Sequence, residues 1–175
     1  WVMVLMMICA GASEHAVSQW ASAFAEKGLG ISKTVGDLAG PLAFAVLMGL
    51  SRVLHSAKGH NWDLRKFIIF STVLCLVSYM LISLVPNPVI NLIGCAVCGF
   101  AIAIMWPGTL SIAAKTLPRG GTAMFAILAL AGDIGCSGGP TLVGFVSGAF
   151  GDNLKVGIIA ACIFPLLILL CLFKG

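Results

Sequence analysis

The sequence predicts an all-α membrane protein with six transmembrane helices. Of its 175 residues, 60% are hydrophobic and only 9% are charged, and the mean hydropathy is +1.10. Such values lie far outside the range of soluble globular domains. Long apolar runs such as residues 67–85 show no alternation of polar and apolar positions, so transmembrane strands are not expected.

Each predicted span is about 20 to 30 residues long, enough to cross a hydrocarbon layer of roughly 30 Å as a helix. The connections between spans are short and polar or rich in Gly and Pro, so neighbouring helices are expected to run antiparallel. Residues 1–175 are therefore expected to form a single bundle. The predicted spans are Trp1 to Phe24, Thr34 to His55, Leu64 to Val85, Pro88 to Ala114, Thr122 to Phe150 and Leu154 to Phe173.

The distribution of basic residues predicts that both chain ends face the cytoplasm. Lys and Arg accumulate on the cytoplasmic side of membrane proteins. Seven of the ten flank the same side of the predicted bundle: Arg52, Lys58, Arg65, Lys66, Lys115, Arg119 and Lys174. The net charge of +4 thus reflects topology, and no nucleic-acid partner is expected. Because the chain opens inside the first apolar run and ends just after the last, we expect a fragment of a longer protein.

The first span carries a polar stripe on one side. On a helical wheel its polar side chains fall in a sector about 140° wide. Ionisable groups inside a membrane are costly and mark solute or ion pathways, so this stripe predicts a solute- or proton-binding site. The stripe includes Glu14, His15, Ser18 and Gln19.

Glu14 is the candidate proton carrier, because burial favours the neutral form of a carboxyl group. The alternative is that Glu14 and His15 satisfy each other, or a neighbouring helix, as buried polar groups. In span two, Thr34 and Asp37 are spaced like a capping box at a helix start.

Two further candidate residues lie in spans four and five. Asp133, near the centre of span five, is predicted either to make a polar contact between helices or to line the pathway. Trp106 offers a flat ring and one N–H to a sugar or another amphipathic solute, and its alternative role is an interfacial anchor. Pro107 removes a backbone donor beside it, and Pro140 predicts a bend in span five.

No metal or cofactor is predicted. All seven cysteines lie inside apolar spans, where they behave as small hydrophobic residues. Cys95 and Cys98 form a CxxC pair, but neither the second pair nor the nearby histidine that a zinc site needs follows it.

A weak internal repeat relates spans two and five. Each contains Gly-Asp followed by Gly-Pro, and a further glycine nine residues beyond the first Gly of Gly-Pro. Since the copies lie three spans apart, they cross the membrane in opposite directions, which is typical of the inverted three-helix repeats of secondary transporters. Span five also has two small-residue registers for close helix packing, 135–139 and 144–148. Spans three and six have no internal charge and are expected to be the outer, lipid-facing helices.

The chain resembles, over essentially its whole length, the C-terminal six-helix half of a major facilitator superfamily transporter. The segment from Gly49 through Arg52 to Lys66 is similar to the basic loop after helix eight of that family, with Ser51 in place of its Asp and a longer spacing. The resemblance implies a twelve-helix fold of which these are helices seven to twelve, and a cytoplasmic gating loop containing Arg52, Lys58, Arg65 and Lys66. It also implies a central cavity lined by spans one and four.

The same resemblance implies a function. Gln19 and Trp106 resemble the glutamine and tryptophan with which sugar porters of this superfamily hold their solute. The implied location is the plasma membrane, the bacterial inner membrane. The implied partners are the lipid bilayer, a small polar solute, a proton or other coupling ion, and a missing N-terminal six-helix half.

We therefore expect half of a secondary transporter, and not an enzyme, that works by alternating access while Glu14 takes up and releases a proton. One alternative is an intramembrane enzyme with Ser13 as nucleophile. A nucleophile and its base must meet from different helices, whereas His15 lies on the same helix as Ser13 and the other two histidines lie at the cytoplasmic edge. The other alternative is a six-helix protein that pairs with itself to complete a carrier.

Overall fold

The computed structural model describes residues 1–23, 26, 32–58 and 63–174, and all regular secondary structure in these ranges is helical. This confirms the predicted all-α class for the described part of the chain. The helices are α1 (Val2–Ser18), α2 (Lys33–Lys58), α3 (Leu64–Leu84), α4 (Pro88–Ile102), α5 (Met105–Thr116), α6 (Gly121–Ala149), α7 (Leu154–Ala161) and α8 (Ile163–Lys174).

Six helical segments in the described ranges are long and apolar enough to cross a membrane, as predicted. Spans four and six each consist of two consecutive helices, α4 with α5 and α7 with α8. All bounds agree with the predicted ones to within a few residues, and the chain is a multi-pass membrane protein by length and composition. In chain order, spans one to six are Val2–Ala23, Lys33–Ala57, Leu64–Leu84, Val89–Thr116, Gly121–Ala149 and Leu154–Phe173.

Side-chain caps set the starts of spans three, four and six. The first N–H groups of a helix have no partner within it, and Asp or Asn just before the helix can accept from them. Asp63 accepts from the backbone N–H of Arg65 at 3.0 Å, and Asn87 and Asn153 do the same for α4 and α7. The predicted capping role of Asp37 is wrong, because α2 already begins at Lys33. The Asp37 carboxylate instead accepts a hydrogen bond from the Ser22 hydroxyl of span one.

Span four is interrupted at Ala103 and Ile104, shortly before Pro107. In a continuous helix the residue at position 107 would donate its N–H to the Ala103 carbonyl, but proline has no N–H. That carbonyl instead accepts a hydrogen bond of 3.3 Å from Nε of Arg52 on α2. By contrast, α6 runs through Pro140 as one helix from Gly121 to Ala149.

Helix α1 packs most extensively against α6, and glycines allow the close approach. A Cβ atom at Gly11 would overlap the carbonyl oxygen of Gly132, and one at Gly135 would overlap that of Ile8. The 135–139 register predicted from the sequence is therefore a contact surface for α1. The second predicted register is not used in this way, since a Cβ at Gly148 would meet nothing within 4 Å.

Burial within the described chain does not follow the expected division into outer and inner spans, and the lipid-facing role of spans three and six stays a prediction. In the most apolar window of each span, 44% of residues are buried in span three and 39% in span six, against 17% in span two and 22% in span five. Hydropathy does not separate these cases, because lipid tails and the helix-packing interior are equally apolar. Spans two and five are the exposed pair.

The glycine contact between α1 and α6 generates a test of the packing. Replacing Gly135 by Ala forces a methyl group against the α1 backbone, and overpacking of this kind costs about 1–3 kcal/mol. We expect a lower thermal stability of the detergent-solubilised protein, measured by fluorescence-detected size exclusion after heating. Gly148→Ala is the matched control, with open space around it and a gain in helix propensity. Equal losses in both variants would contradict the assignment.

Candidate functional site

A cavity of about 550 Å³ lies among spans one, two, four and five. Its polar and ionisable groups stand within apolar spans, and Glu14 and Asp133 lie near the middle of theirs. An acidic residue in such a position normally faces protein or water rather than lipid. The lining residues are Glu14, His15, Arg52, Trp106, Pro107, Leu110, Asp133 and Cys136.

The structure brings together four of the six predicted binding residues. Glu14 and His15 share the cavity with Trp106 and Asp133, which come from two other spans. Ser18 and Gln19 do not line it, because they lie about one helical turn further along, where α1 ends at Ser18. Only the first part of the polar stripe therefore contributes to the cavity.

The position of Glu14 is fixed by the residue before it. The Ser13 side chain is fully buried and its hydroxyl donates to the Cys9 carbonyl of the same helix at 2.7 Å. The Ser13 carbonyl accepts a hydrogen bond of 2.6 Å from the buried Tyr79 hydroxyl of α3. Successive residues of a helix point about 100° apart, so anchoring Ser13 in the core directs the half-buried Glu14 side chain into the cavity.

Two ring nitrogens beside the cavity are buried and have no hydrogen-bond partner among the described residues. They are Nδ1 of His15 and Nε1 of Trp106. A buried polar atom left unpaired costs about 1–3 kcal/mol, and neither nitrogen is accessible to solvent from the cavity. The Trp106 ring packs on Gly132, where a Cβ atom would lie 2.6 Å or less from the ring.

Arg52 belongs to the cavity, although the sequence predicted it in a cytoplasmic gating loop. It lies inside α2 and its side chain lines the cavity. Its guanidinium and the His15 imidazole act electrostatically on the Glu14 carboxylate. Two features of the sequence could have indicated this position. Arg52 falls inside an apolar span, and Pro107 on another span leaves a backbone carbonyl without its helical donor.

The other predicted gating residues have different surroundings. Arg65 donates through Nη2 to the Leu172 carbonyl near the end of α8. Lys66 is exposed and its Nζ lies 3.9 Å from the Asp63 carboxylate. Lys58 is the last residue of α2, and residues 59–62 of the predicted loop lie outside the described residues. A gating role for this segment stays a prediction.

In the part of the chain that the structure describes, no group of three or more His, Cys, Asp or Glu side chains is placed to hold a metal ion. The cavity offers two carboxylates, an imidazole, a guanidinium and an indole. Such a set can bind a polar solute and can gain or lose protons.

The contact between Trp106 and Gly132 provides a test of the cavity geometry. Gly132→Ala forces the indole away from α6, so we expect a shifted tryptophan emission and altered quenching by iodide. Subtracting the signal of the Trp106→Phe background isolates this residue. Gly138→Ala adds the same methyl group where nothing lies within 4 Å and is expected to leave the emission unchanged. An unchanged spectrum in both variants would show that the ring does not rest on Gly132.

The chain matches no protein-family model, no curated protein and no solved structure. Its function is therefore inferred from the cavity, from the residues that line it and from the exposure of the spans around it.

Proposed function

We propose that this chain is the C-terminal half of a secondary active transporter. It moves a small polar solute, with sugars among the candidates, across the plasma membrane by alternating access. Uptake of a proton by Glu14 is coupled to solute movement. This is the function expected of a major facilitator superfamily transporter, which the sequence resembles.

The observation that carries the proposal is the cavity itself. Four spans contribute ionisable or aromatic side chains to one hollow of about 550 Å³ in a bundle of predominantly apolar helices. Keeping a carboxylate inside a membrane is costly, and such groups serve as proton relays and solute sites. Glu14 faces this hollow instead of lipid, as a proton carrier must.

Part of the packing pattern supports two inverted three-helix repeats, while the extensive contact between spans five and six has no counterpart of similar extent between spans two and three in the described chain. An inverted repeat relates span one to span four, span two to span five and span three to span six. The contact of span one with span five then corresponds to the contact of span four with span two. Both pairings are among the most extensive helix contacts in the described chain. The same repeat relates spans two and five, which are the two least buried spans. The Gly-Asp and Gly-Pro repeat falls on that same pair.

The exposed face supports a missing six-helix half. Spans two and five are mostly unburied, and Arg52, Pro107 and Asp133 are lining residues that remain exposed. The cavity therefore opens on the face that these spans form. A second bundle placed there would close it and bury the exposed face.

An intramembrane enzyme is less well supported. The Ser13 hydroxyl is buried and donates within its own helix to Cys9, so it does not face the cavity histidine. A nucleophile needs a base within hydrogen-bond reach.

We also propose, from the distribution of the basic residues, that both termini face the cytoplasm.

The Glu14→Gln variant tests proton coupling. The protein is expressed from its native open reading frame and reconstituted in vesicles. Glutamine keeps the size and polarity of the side chain but cannot carry a proton. We expect solute uptake driven by an inward proton gradient to fall at least tenfold, while solute exchange without a gradient persists.

Asp37→Asn is the matched control, since Asp37 is an intramembrane-span carboxylate outside the cavity and asparagine keeps its size. Its proton-driven uptake should stay near the unsubstituted level, provided that both variants insert normally. Gradient-driven uptake that is unchanged in Glu14→Gln would refute Glu14 as the proton carrier. If the protein with its native sequence moves no solute at all, the transporter proposal is wrong.

A further inference from the structure

We propose that the transported solute carries a carboxylate, and that Arg52 binds this group from the wall of the cavity. The proposal rests on the transport function proposed above and names the class of solute. It makes Arg52 a specificity-determining residue in place of a member of a gating loop.

One hydrogen bond holds the Arg52 guanidinium and leaves its two terminal amino groups available. A guanidinium has five N–H donors, and only the single donor on Nε is used, on the Ala103 carbonyl at 3.3 Å. Among the described residues its two terminal amino groups have no hydrogen-bond partner, and the residue lines the cavity. Two parallel N–H groups held in one plane match the two oxygens of a carboxylate.

Pro107 accounts for the acceptor that Arg52 uses. Because proline has no N–H, the Ala103 carbonyl lacks its usual helical donor, and Nε of Arg52 donates to it instead. A backbone carbonyl at a helix break is a rigid acceptor, so it restricts the plane of the guanidinium. A lysine could satisfy the same carbonyl, but it would leave no planar pair of donors for a solute.

The charges in the cavity are consistent with solute and proton entering together. With Glu14 and Asp133 both ionised, the two carboxylates outnumber the Arg52 guanidinium, and a third carboxylate would be repelled. A proton on Glu14 removes one of those charges and leaves the guanidinium for the solute. The titratable or charged groups that face Glu14 are His15, Arg52, Cys98, Asp133 and Cys136.

The remaining groups favour a sugar acid among carboxylates. Trp106 lines the cavity, and an indole ring suits the apolar face of a sugar. The Asp133 carboxylate, which also lines the cavity, can accept hydrogen bonds from hydroxyl groups. A cavity of about 550 Å³ has room for a single sugar ring with its acid group.

Matched pairs of solutes test the proposal directly. The pairs are galacturonate with galactose, glucuronate with glucose, and gluconate with sorbitol, whose members differ in having a carboxylate or a CH₂OH group. With the native-sequence protein in vesicles, we expect at least one acid to be bound and taken up about tenfold or more better than its neutral partner. In Arg52→Gln this preference should fall by about ten- to a hundredfold, the usual effect of losing charge-assisted hydrogen bonds. Arg52→Lys should fall between the two.

A second variant separates solute binding from support of span four. Pro107→Ala restores the N–H that bonds the Ala103 carbonyl, so Arg52→Gln in this background leaves no carbonyl unpaired. If Arg52 binds solute, the double variant is as stable to heat as Pro107→Ala alone but still lacks the preference for the acid. If Arg52 only supports span four, the double variant recovers both stability and preference, and the proposal is overturned.

The outcomes also distinguish the two proposals. Proton-driven uptake of neutral members with no preference for any acid would preserve the transporter and overturn the carboxylate class. A preference for the acids that persists in Arg52→Gln on the Pro107→Ala background would overturn the role of Arg52. No binding or uptake of any member would reject sugar acids as the solute and, with them, transport of sugar-like solutes.

Discussion

In the hydrocarbon of a membrane every backbone carbonyl needs a donor, and this requirement positions the cationic residues of the bundle. Water cannot supply the bond there, and an unpaired group costs several kcal/mol. Arg52 bonds the carbonyl at the break in span four, and Lys155 donates to the Val85 carbonyl at the end of α3 at 2.7 Å. Arg65 does the same near the end of α8. These three basic residues thus lie where helical hydrogen bonding stops.

Helix α1 both packs into the core and contributes to the cavity. Its glycine contacts with α6 bring the two backbones together, and its Ser13 carbonyl accepts a hydrogen bond from Tyr79. The same helix presents Glu14 and His15 to the cavity. Because the backbone of α1 is packed closely against its neighbours, Glu14 is positioned without any bond to the carboxylate itself. A group that must exchange protons benefits from being held in this indirect way.

The sequence predicts well the features that depend on local composition. The six spans follow from length and hydropathy, and the cost of ionisable groups in lipid indicated a site at Glu14 and His15. Their grouping with Trp106 was implied by the resemblance, and for Asp133 a contact between helices was the alternative. Features that depend on distant residues were not predicted. The helical wheel continued α1 past Ser18, and so it included Gln19. The role of Arg52 depends on a carbonyl freed by Pro107, which lies far along the chain. The exposure of spans two and five depends on helix packing, which hydropathy does not report.

The close contact between spans one and five has a consequence for biogenesis. Gly11 meets a partner on α6 that is synthesised on the order of 120 residues later, which corresponds to roughly ten seconds at ribosomal rates of about 5–20 residues per second. Until then the nascent first helix, with its glutamate and histidine, lacks its most extensive packing partner in the bilayer. A chaperone or the insertion machinery that shields this helix during the delay would keep it from pairing with the wrong segment.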